Sequence, residues 1–132
     1  IVPFAGWEMP VQYAGLVKEH HAVRTAAGLF DVSHMGELLV EGAAAEETLD
    51  GLVTADLTKL PVGRAVYTCA LNAGGTILDD LIVYRRAEDR FLVVCNAGNR
   101  AKIAAHVGAA CEGRARFEDA SDRYGLLALQ GP

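Results

Sequence analysis

Residues 76–84 form an apolar, strand-like run that two adjacent carboxylates, Asp79 and Asp80, interrupt, and this is the most informative pattern in the chain. Successive side chains of a strand point to opposite faces of its sheet. A strand over this run therefore has Ile77, Asp79, Leu81 and Val83 on one face and Leu78, Asp80, Ile82 and Tyr84 on the other. Each face carries one carboxylate in an apolar row, where charged groups are rare unless they are paired or used. The pattern predicts either a functional acid or an acid pair that caps the strand or binds a nearby arginine.

The rest of the chain predicts three helices and several further strands. Apolar residues recur at helical spacing in three stretches: residues 16–27, 43–53 and 98–110. Strand-like runs occupy residues 37–40, 65–71 and 91–96, with a weaker run at 114–118. Between two of these strands the sequence NAGG predicts a hairpin turn, because Asn and Gly tolerate positive φ. Residues 1–15 are rich in Gly, Pro and aromatic side chains and predict an irregular segment.

These elements predict an α+β fold with an interrupted domain. From residue 37 the order is β-α-β-β-β-α-β, typical of a layer related to the ferredoxin-like plan, with helices on one face of an antiparallel or mixed sheet. The segment 1–36 and the apolar run 125–132 do not fit this layer. We expect them to pair with each other as parts of an incomplete second domain, into which residues 37–124 are inserted.

Composition and charge exclude several classes of protein. The chain has 132 residues, enough for an ordinary domain core, and a net charge of −5 with scattered basic residues, which argues against nucleic-acid binding. No apolar run approaches the ~20 residues of a membrane span. The cysteines Cys69, Cys95 and Cys111 are widely spaced and form no C-x-x-C pair, so we expect a reducing compartment and no metal. A start without Met and an apolar run near the end lead us to expect a fragment of a longer protein.

Five short strings are more specific than any periodicity. They are FAGWEMP at 4–10, HAVR at 21–24, FDVSHM at 30–35, GGTILDDL at 74–81 and LQGP at 129–132. In this order and spacing they closely resemble the T protein family of the glycine cleavage system, the tetrahydrofolate-dependent aminomethyltransferases. The resemblance extends over essentially the whole chain.

The resemblance implies a three-domain protein around a folate channel, of which this chain would be the N-terminal third. Members of the family take an aminomethyl group from the lipoyl arm of the H protein, release ammonia and form methylene-tetrahydrofolate. The implied partners are the lipoylated H protein and tetrahydrofolate. We expect a cytoplasmic bacterial protein, from its Ala-, Gly- and Arg-rich composition, or a mitochondrial one if the source is eukaryotic.

The resemblance also implies roles for individual residues. The catalytic acid of the family matches Asp80, and Asp79 would be structural, bonded to backbone or to a basic partner. Folate-channel positions match Met35, Tyr67, Ile82, Tyr84 and Asn96. The acidic and arginine residues that hold the pterin ring and the folate tail lie further downstream in the family, so we expect the isolated 132 residues to have little or no transferase activity.

Three alternatives remain open from the sequence. The folate domains of sarcosine- and dimethylglycine-oxidising enzymes share this architecture, although they are usually fused to a flavin domain. Some relatives bind folate without amine transfer and support iron–sulfur cluster assembly. The third alternative is an α+β interaction module without chemistry.

Overall fold

The computed structural model describes all 132 residues, and they form two compact units. The first unit consists of residues 1–34 and 125–132, and the second of residues 35–124. In chain order the elements are β1 (Val2–Phe4), β2 (Trp7–Met9), α1 (Leu16–Thr25), β3 (Gly28–Asp31), β4 (Gly36–Glu41), α2 (Ala45–Asp50), β5 (Ala65–Leu71), β6 (Ile77–Ala87), β7 (Arg90–Cys95), α3 (Arg100–Cys111), β8 (Arg116–Asp119) and β9 (Leu127–Gln130).

The first unit contains two small antiparallel sheets and one helix. β1 and β2 form a hairpin whose turn residues, Ala5 and Gly6, both have positive φ. The prediction of an irregular segment over residues 1–15 is therefore wrong for residues 2–9, because strands of three residues are too short to show alternation. β3 pairs with β9 from Gly28 opposite Gln130 to Asp31 opposite Leu127. The apolar positions of α1 remain unburied, because this unit offers little surface to pack against.

The second unit is a five-stranded antiparallel sheet in the order β5-β6-β7-β4-β8. Side chains from α2 and α3 pack with one face of this sheet in a single apolar cluster. The cluster includes Leu38, Val40, Leu49, Leu81, Val83, Phe91, Val93, Ile103 and Val107. Full burial of such a side chain contributes about 1.5–3 kcal/mol each, so this cluster holds the sheet and the helices together.

The hairpin between β5 and β6 has the turn that the sequence predicts. The Asn72 side-chain oxygen accepts hydrogen bonds from the backbone N–H groups of Gly74 and Thr76, at 3.0 and 2.9 Å. Gly75 occupies the left-handed region with φ 79°, which residues with a side chain adopt only with strain. This turn sets the register in which β5 and β6 pair.

A β-bulge follows this turn and changes one of the predicted faces. Ala70 lies opposite Asp79, but the next residue, Leu71, lies opposite Ile77, so Leu78 has no direct partner. From Asp79 to Val83 the burial alternates as predicted. Ile77 does not share the buried face and is 61% exposed, because the extra residue shifts the alternation by one position.

No helix of the structure is both long enough and apolar enough to cross a bilayer.

Candidate functional site

The face of the sheet opposite the helical cluster carries most of the predicted site residues. In β6, Asp79 is 5% exposed on the helical side, whereas Asp80 is exposed on the other side. The antiparallel register places Tyr67 of β5 beside Ile82 of β6, and Ile82 beside Val94 of β7. Paired residues of neighbouring strands point to the same face, so these side chains belong to one surface, which we call the outer face.

Asp80 is held by two side chains from neighbouring strands. The Tyr67 hydroxyl donates to Asp80 Oδ2 at 2.6 Å, and Asn96 Nδ2 donates to Asp80 Oδ1 at 3.0 Å. The bond from Tyr67, and to a lesser extent that from Asn96, holds the pKa of Asp80 below its usual range. The same carboxylate raises the pKa of Tyr67. At neutral pH this part of the site therefore presents an ionised carboxylate beside a neutral phenol.

Asp79 has a different environment and accepts hydrogen bonds through both oxygens. Its Oδ2 accepts from the backbone N–H of Asn96 at 3.0 Å. Its Oδ1 accepts from the side-chain amides of Asn96 and Asn99, at 3.0 and 2.6 Å. Asp79 is thus bonded to backbone, as expected, and its other partners are amides rather than a basic side chain. The sequence analysis missed Asn99, although its position three residues after Asn96, at the start of α3, was a usable signal.

The remaining predicted residues take no part in this hydrogen-bond network. Tyr84 lies on the outer face, opposite Ala65 of β5, and is 37% exposed. Met35 is half-buried and directly precedes Gly36, which lies opposite Cys95 at the end of β7. Met35 and Asn96 are therefore at the same end of the sheet. Met35 directly precedes β4, and β7 lies between β4 and β6, the strand of Asp80.

Glu37 is an acid of the outer face that the sequence analysis missed. Across the sheet, Glu37 lies opposite Val94, Val94 opposite Ile82, and Ile82 opposite Tyr67, so Glu37 belongs to the same outer-face row. It is 0% exposed, and neither carboxyl oxygen has a hydrogen-bond partner. Burial raises the pKa of Glu37 to about 7. A charged residue opening the apolar strand run of β4 was the signal that could have identified it.

The hydrogen bond from Tyr67 leads to a testable prediction. Replacing Tyr67 by Phe removes the largest cause of the lowered pKa, so we expect the pKa of Asp80 to rise toward its ordinary value. NMR titration of labelled aspartate carboxyl carbons would measure this shift. Tyr84→Phe, on the same face but without a bond to Asp80, is the matched control and should leave the titration unchanged. An unaltered Asp80 midpoint in Tyr67→Phe would contradict the assignment.

These groups define what the site can do chemically. Asp80 supplies fixed negative charge on an exposed face, flanked by Tyr67 and on the same face as Tyr84. Such a face suits a flat ligand that carries N–H groups or develops positive charge near the carboxylate. No three His, Cys, Asp or Glu side chains in the structure come together in a way that could hold a metal ion.

A separate cleft of about 540 Å³ lies within the first unit. Its lining includes Trp7, Tyr13, Phe30 and His34, and none of the predicted site residues contributes to it.

Comparison with known proteins gives consistent results over the full length of the chain. Residues 1–132 match the family model described as the GCVT N-terminal domain. The aminomethyltransferase of Saccharopolyspora erythraea is 52% identical over 133 residues, which cover 98% of this chain and 35% of that protein. The aminomethyltransferase of Thermus thermophilus is 50% identical, covering 100% of this chain and 38% of that protein.

A solved structure has the same fold. The crystal structure of the glycine cleavage system aminomethyltransferase T from Bartonella henselae matches with a TM-score of 0.87 at 42% identity, covering 99% of this chain and 36% of that one. The chain therefore spans a little over a third of the length of these relatives. Because the family model accounts for every residue, the chain belongs to the GCVT N-terminal domain family.

Proposed function

We propose that the protein containing this chain is the tetrahydrofolate-dependent aminomethyltransferase of glycine cleavage. It would move the aminomethyl carbon from the lipoyl arm of the H protein to tetrahydrofolate and release ammonia. The observation that carries the proposal is the ionised, hydrogen-bonded Asp80 on the outer face of a chain that belongs to this family. The relatives reported above, each about 50% identical, bear the name aminomethyltransferase.

Asp80 is the proposed catalytic carboxylate. Loss of ammonia from the aminomethyl group leaves a carbon with cationic character, and a fixed carboxylate stabilises such charge. The carboxylate can also orient, or accept, a proton from the folate amine that attacks this carbon. Tyr67 and Asn96 hold the carboxylate in one orientation, so it does not have to be organised during the reaction.

The other predicted site residues are proposed to line the folate channel. Tyr67 and Tyr84 offer aromatic surface to the pterin or aminobenzoyl ring. Ile82 lies opposite Tyr67 and two residues before Tyr84 on the outer face. Met35 and Asn96 would form the end of the channel where β4 begins and β7 ends.

The two units suggest a domain assignment. We propose that residues 37–124 form an inserted domain, whose order β8-β4-β7-β6 is that of a ferredoxin-like sheet, with β5 added at one edge. Residues 1–36 and 125–132 would belong to a folate-binding domain that later residues complete. A cytoplasmic location and the lipoylated H protein as partner belong to the same proposal.

A reconstituted assay tests the function. The full-length protein is mixed with tetrahydrofolate and with H protein loaded with the aminomethyl group, and methylene-tetrahydrofolate and ammonia are measured together. We expect equal amounts of both products, and product formation that depends on both substrates. Absence of transfer, while a known aminomethyltransferase is active with the same loaded H protein, would contradict the proposal. The isolated 132 residues serve as a second sample, and we expect them to have little or no activity.

The alternatives are less well supported. A folate domain of a sarcosine- or dimethylglycine-oxidising enzyme, or an iron–sulfur assembly factor, would leave the aminomethyltransferase names of the relatives unexplained. An interaction module without chemistry would not account for the hydrogen bonds that hold the ionised Asp80 on the outer face.

A further inference from the structure

A short 3-10 turn, Ser121–Arg123, follows β8 and is fastened to α3 by one arginine, and we call it the latch turn. Arg100, the first residue of α3, donates through Nε to Asp119 Oδ2 at 3.3 Å and through Nη1 to Asp122 Oδ1 at 3.0 Å. The Ser121 hydroxyl donates to Asp119 Oδ1 at 2.5 Å. The side chain of Asp122 is 86% exposed and that of Asp119 only 31%, so the bond from Arg100 to Asp122 is the more easily given up.

The latch turn lies beside Glu37 at the start of β4. The Glu37 backbone N–H donates to Ser121 Oγ, and the Ala120 N–H donates to the Glu37 carbonyl, both at 2.9 Å. The stem of Arg100 is close to β4 as well, because a methyl group at Gly36 would lie 3.1 Å from Arg100 Cγ. Glu37, Arg100 and the latch turn therefore meet at one corner of the second unit.

Arg100 is the cation that acts on the Glu37 carboxyl group. Burial raises the pKa of Glu37 to about 7, with Arg100 opposing the rise and Asp119 adding to it. On β7, burial raises the pKa of the Cys95 thiol to about 12, so this neighbour stays neutral. Although burial acts against it, the hydrogen bonds from Ser121 and Arg100 hold the pKa of Asp119 below its usual range. Among Glu37, Cys95 and Asp119, only Glu37 changes charge near neutral pH.

An ionised Glu37 needs a donor, and Arg100 has one to offer. Neither carboxyl oxygen of Glu37 has a hydrogen-bond partner, an arrangement that a neutral acid tolerates far better than a buried carboxylate does. Arg100 donates only through Nε and Nη1, which leaves Nη2 free. Glu37 and Arg100 form no ion pair in the structure, so the guanidinium has to turn toward β4 to reach the carboxylate. That turn carries Nη1 away from the exposed Asp122.

We propose that Glu37 and Asp122 compete for the Arg100 guanidinium, so that ionisation of Glu37 releases the latch turn. Below neutral pH Arg100 fastens the turn, and above it the guanidinium moves to Glu37. The turn is followed by Tyr124, the last residue of the second unit, and by residues 125–132, which belong to the first. The latch therefore controls how firmly the chain is held where it leaves the second unit. Because one ion pair replaces another, the exchange alters the turn more than the free energy of unfolding. The inference does not depend on the proposed function.

Hydrogen exchange of the full-length protein at pH 6 and pH 8.5, corrected for the intrinsic effect of pH on exchange, tests the latch. We expect the protection of the backbone amides of residues 121–124 to fall by about three- to fivefold at pH 8.5, the weight of one exposed ion pair. Peptides from β6 should keep their protection, which distinguishes release of the turn from general loosening. Glu37→Gln should keep the pH 6 protection of the turn at both pH values. Arg100→Gln should show the lower protection at both.

The control is Glu41→Gln, on the same strand as Glu37 but paired with Arg90 and Arg116. It should lose protection at pH 8.5 as the native protein does. Native protein whose turn is equally protected at both pH values would show that the ionised Glu37 does not draw Arg100 away, and would overturn the inference. The same fall in Glu37→Gln as in the native protein would overturn it too. If Glu37→Gln does not fold, Asp122→Asn decides: it should lose most of the pH dependence, and a native response would contradict the competition.

Discussion

Replacing Asp80 by Asn is expected to lower kcat by about 10²–10³-fold in the full-length protein. The amide has nearly the same shape as the carboxylate, so the change removes charge and little volume. The charge acts most strongly on the cationic carbon formed when ammonia leaves, and less on bound tetrahydrofolate. We therefore expect the KM for tetrahydrofolate to change by only about threefold.

Steady-state kinetics with loaded H protein would measure both parameters. Asp89→Asn is the matched control, because Asp89 is an exposed acid in the turn after β6. The Asp89→Asn variant should be as active as the native protein. If the kcat of Asp80→Asn stayed within about threefold of the native value, Asp80 would not be the catalytic carboxylate. A rise in KM alone would assign it to binding rather than to chemistry.

Replacing Glu37 by Gln is expected to stabilise the chain at alkaline pH. The pKa of Glu37 is about 7 in the folded chain, above its ordinary value of 4.5. The folded state therefore binds more protons between these values, and stability falls as pH rises through this window. The loss is complete above about pH 8 and amounts to about 3 kcal/mol. The Arg100 guanidinium limits the rise in pKa, and the Asp119 carboxylate adds to it.

Chemical denaturation of the chain at pH 4.5 and pH 8.5 would measure the free energy of unfolding. We expect the free energy of unfolding of Glu37→Gln to exceed that of the native chain by about 3 kcal/mol at pH 8.5 and to match it within about 1 kcal/mol at pH 4.5. Glu41→Gln, on the same strand, is the control. Glu41 is paired with Arg90 and Arg116, so its replacement should bring no gain at either pH. A Glu37→Gln chain that gains nothing at pH 8.5 would show that Glu37 is not a charged, unpaired group there.

The faces of Asp79 and Asp80 within β6 could be predicted because burial on one side of a sheet forces a period of two. This period placed Asp79 and Asp80 on opposite faces correctly, and the Asn-Gly composition of the turn that precedes β6 identified the hairpin between β5 and β6. The same reasoning failed for Ile77, because a bulge depends on how two strands meet rather than on either sequence alone. It failed again for the hairpin of β1 and β2, whose strands are shorter than two periods.

Other parts of the site depended on contacts between distant residues. Asn99 gains its role only when α3 begins beside Asp79, which lies 20 residues earlier in the chain. Glu37 reads as an ordinary polar position of a strand until the residues around it remove all of its exposure. The sequence signals for these two residues, an amide three positions after Asn96 and a charge that opens an apolar strand, are weak, because the contacts that give the residues their roles arise from the tertiary fold.

The bulge at Leu78 has a consequence for how this strand tolerates insertions and deletions. Two identical acids in succession look redundant, as if either could replace the other. A shift of one residue in the register of β6 would indeed bring Asp79 to the outer face in place of Asp80. The same shift would replace Ile82 by Leu81 on that face and turn Tyr84 inward. The extra residue, Leu78, has no direct partner in β5 and absorbs such a mismatch before the acid pair is reached. Length changes should therefore be accommodated in the 72–78 hairpin, whereas a change between residues 79 and 84 would preserve the acid and destroy its surroundings.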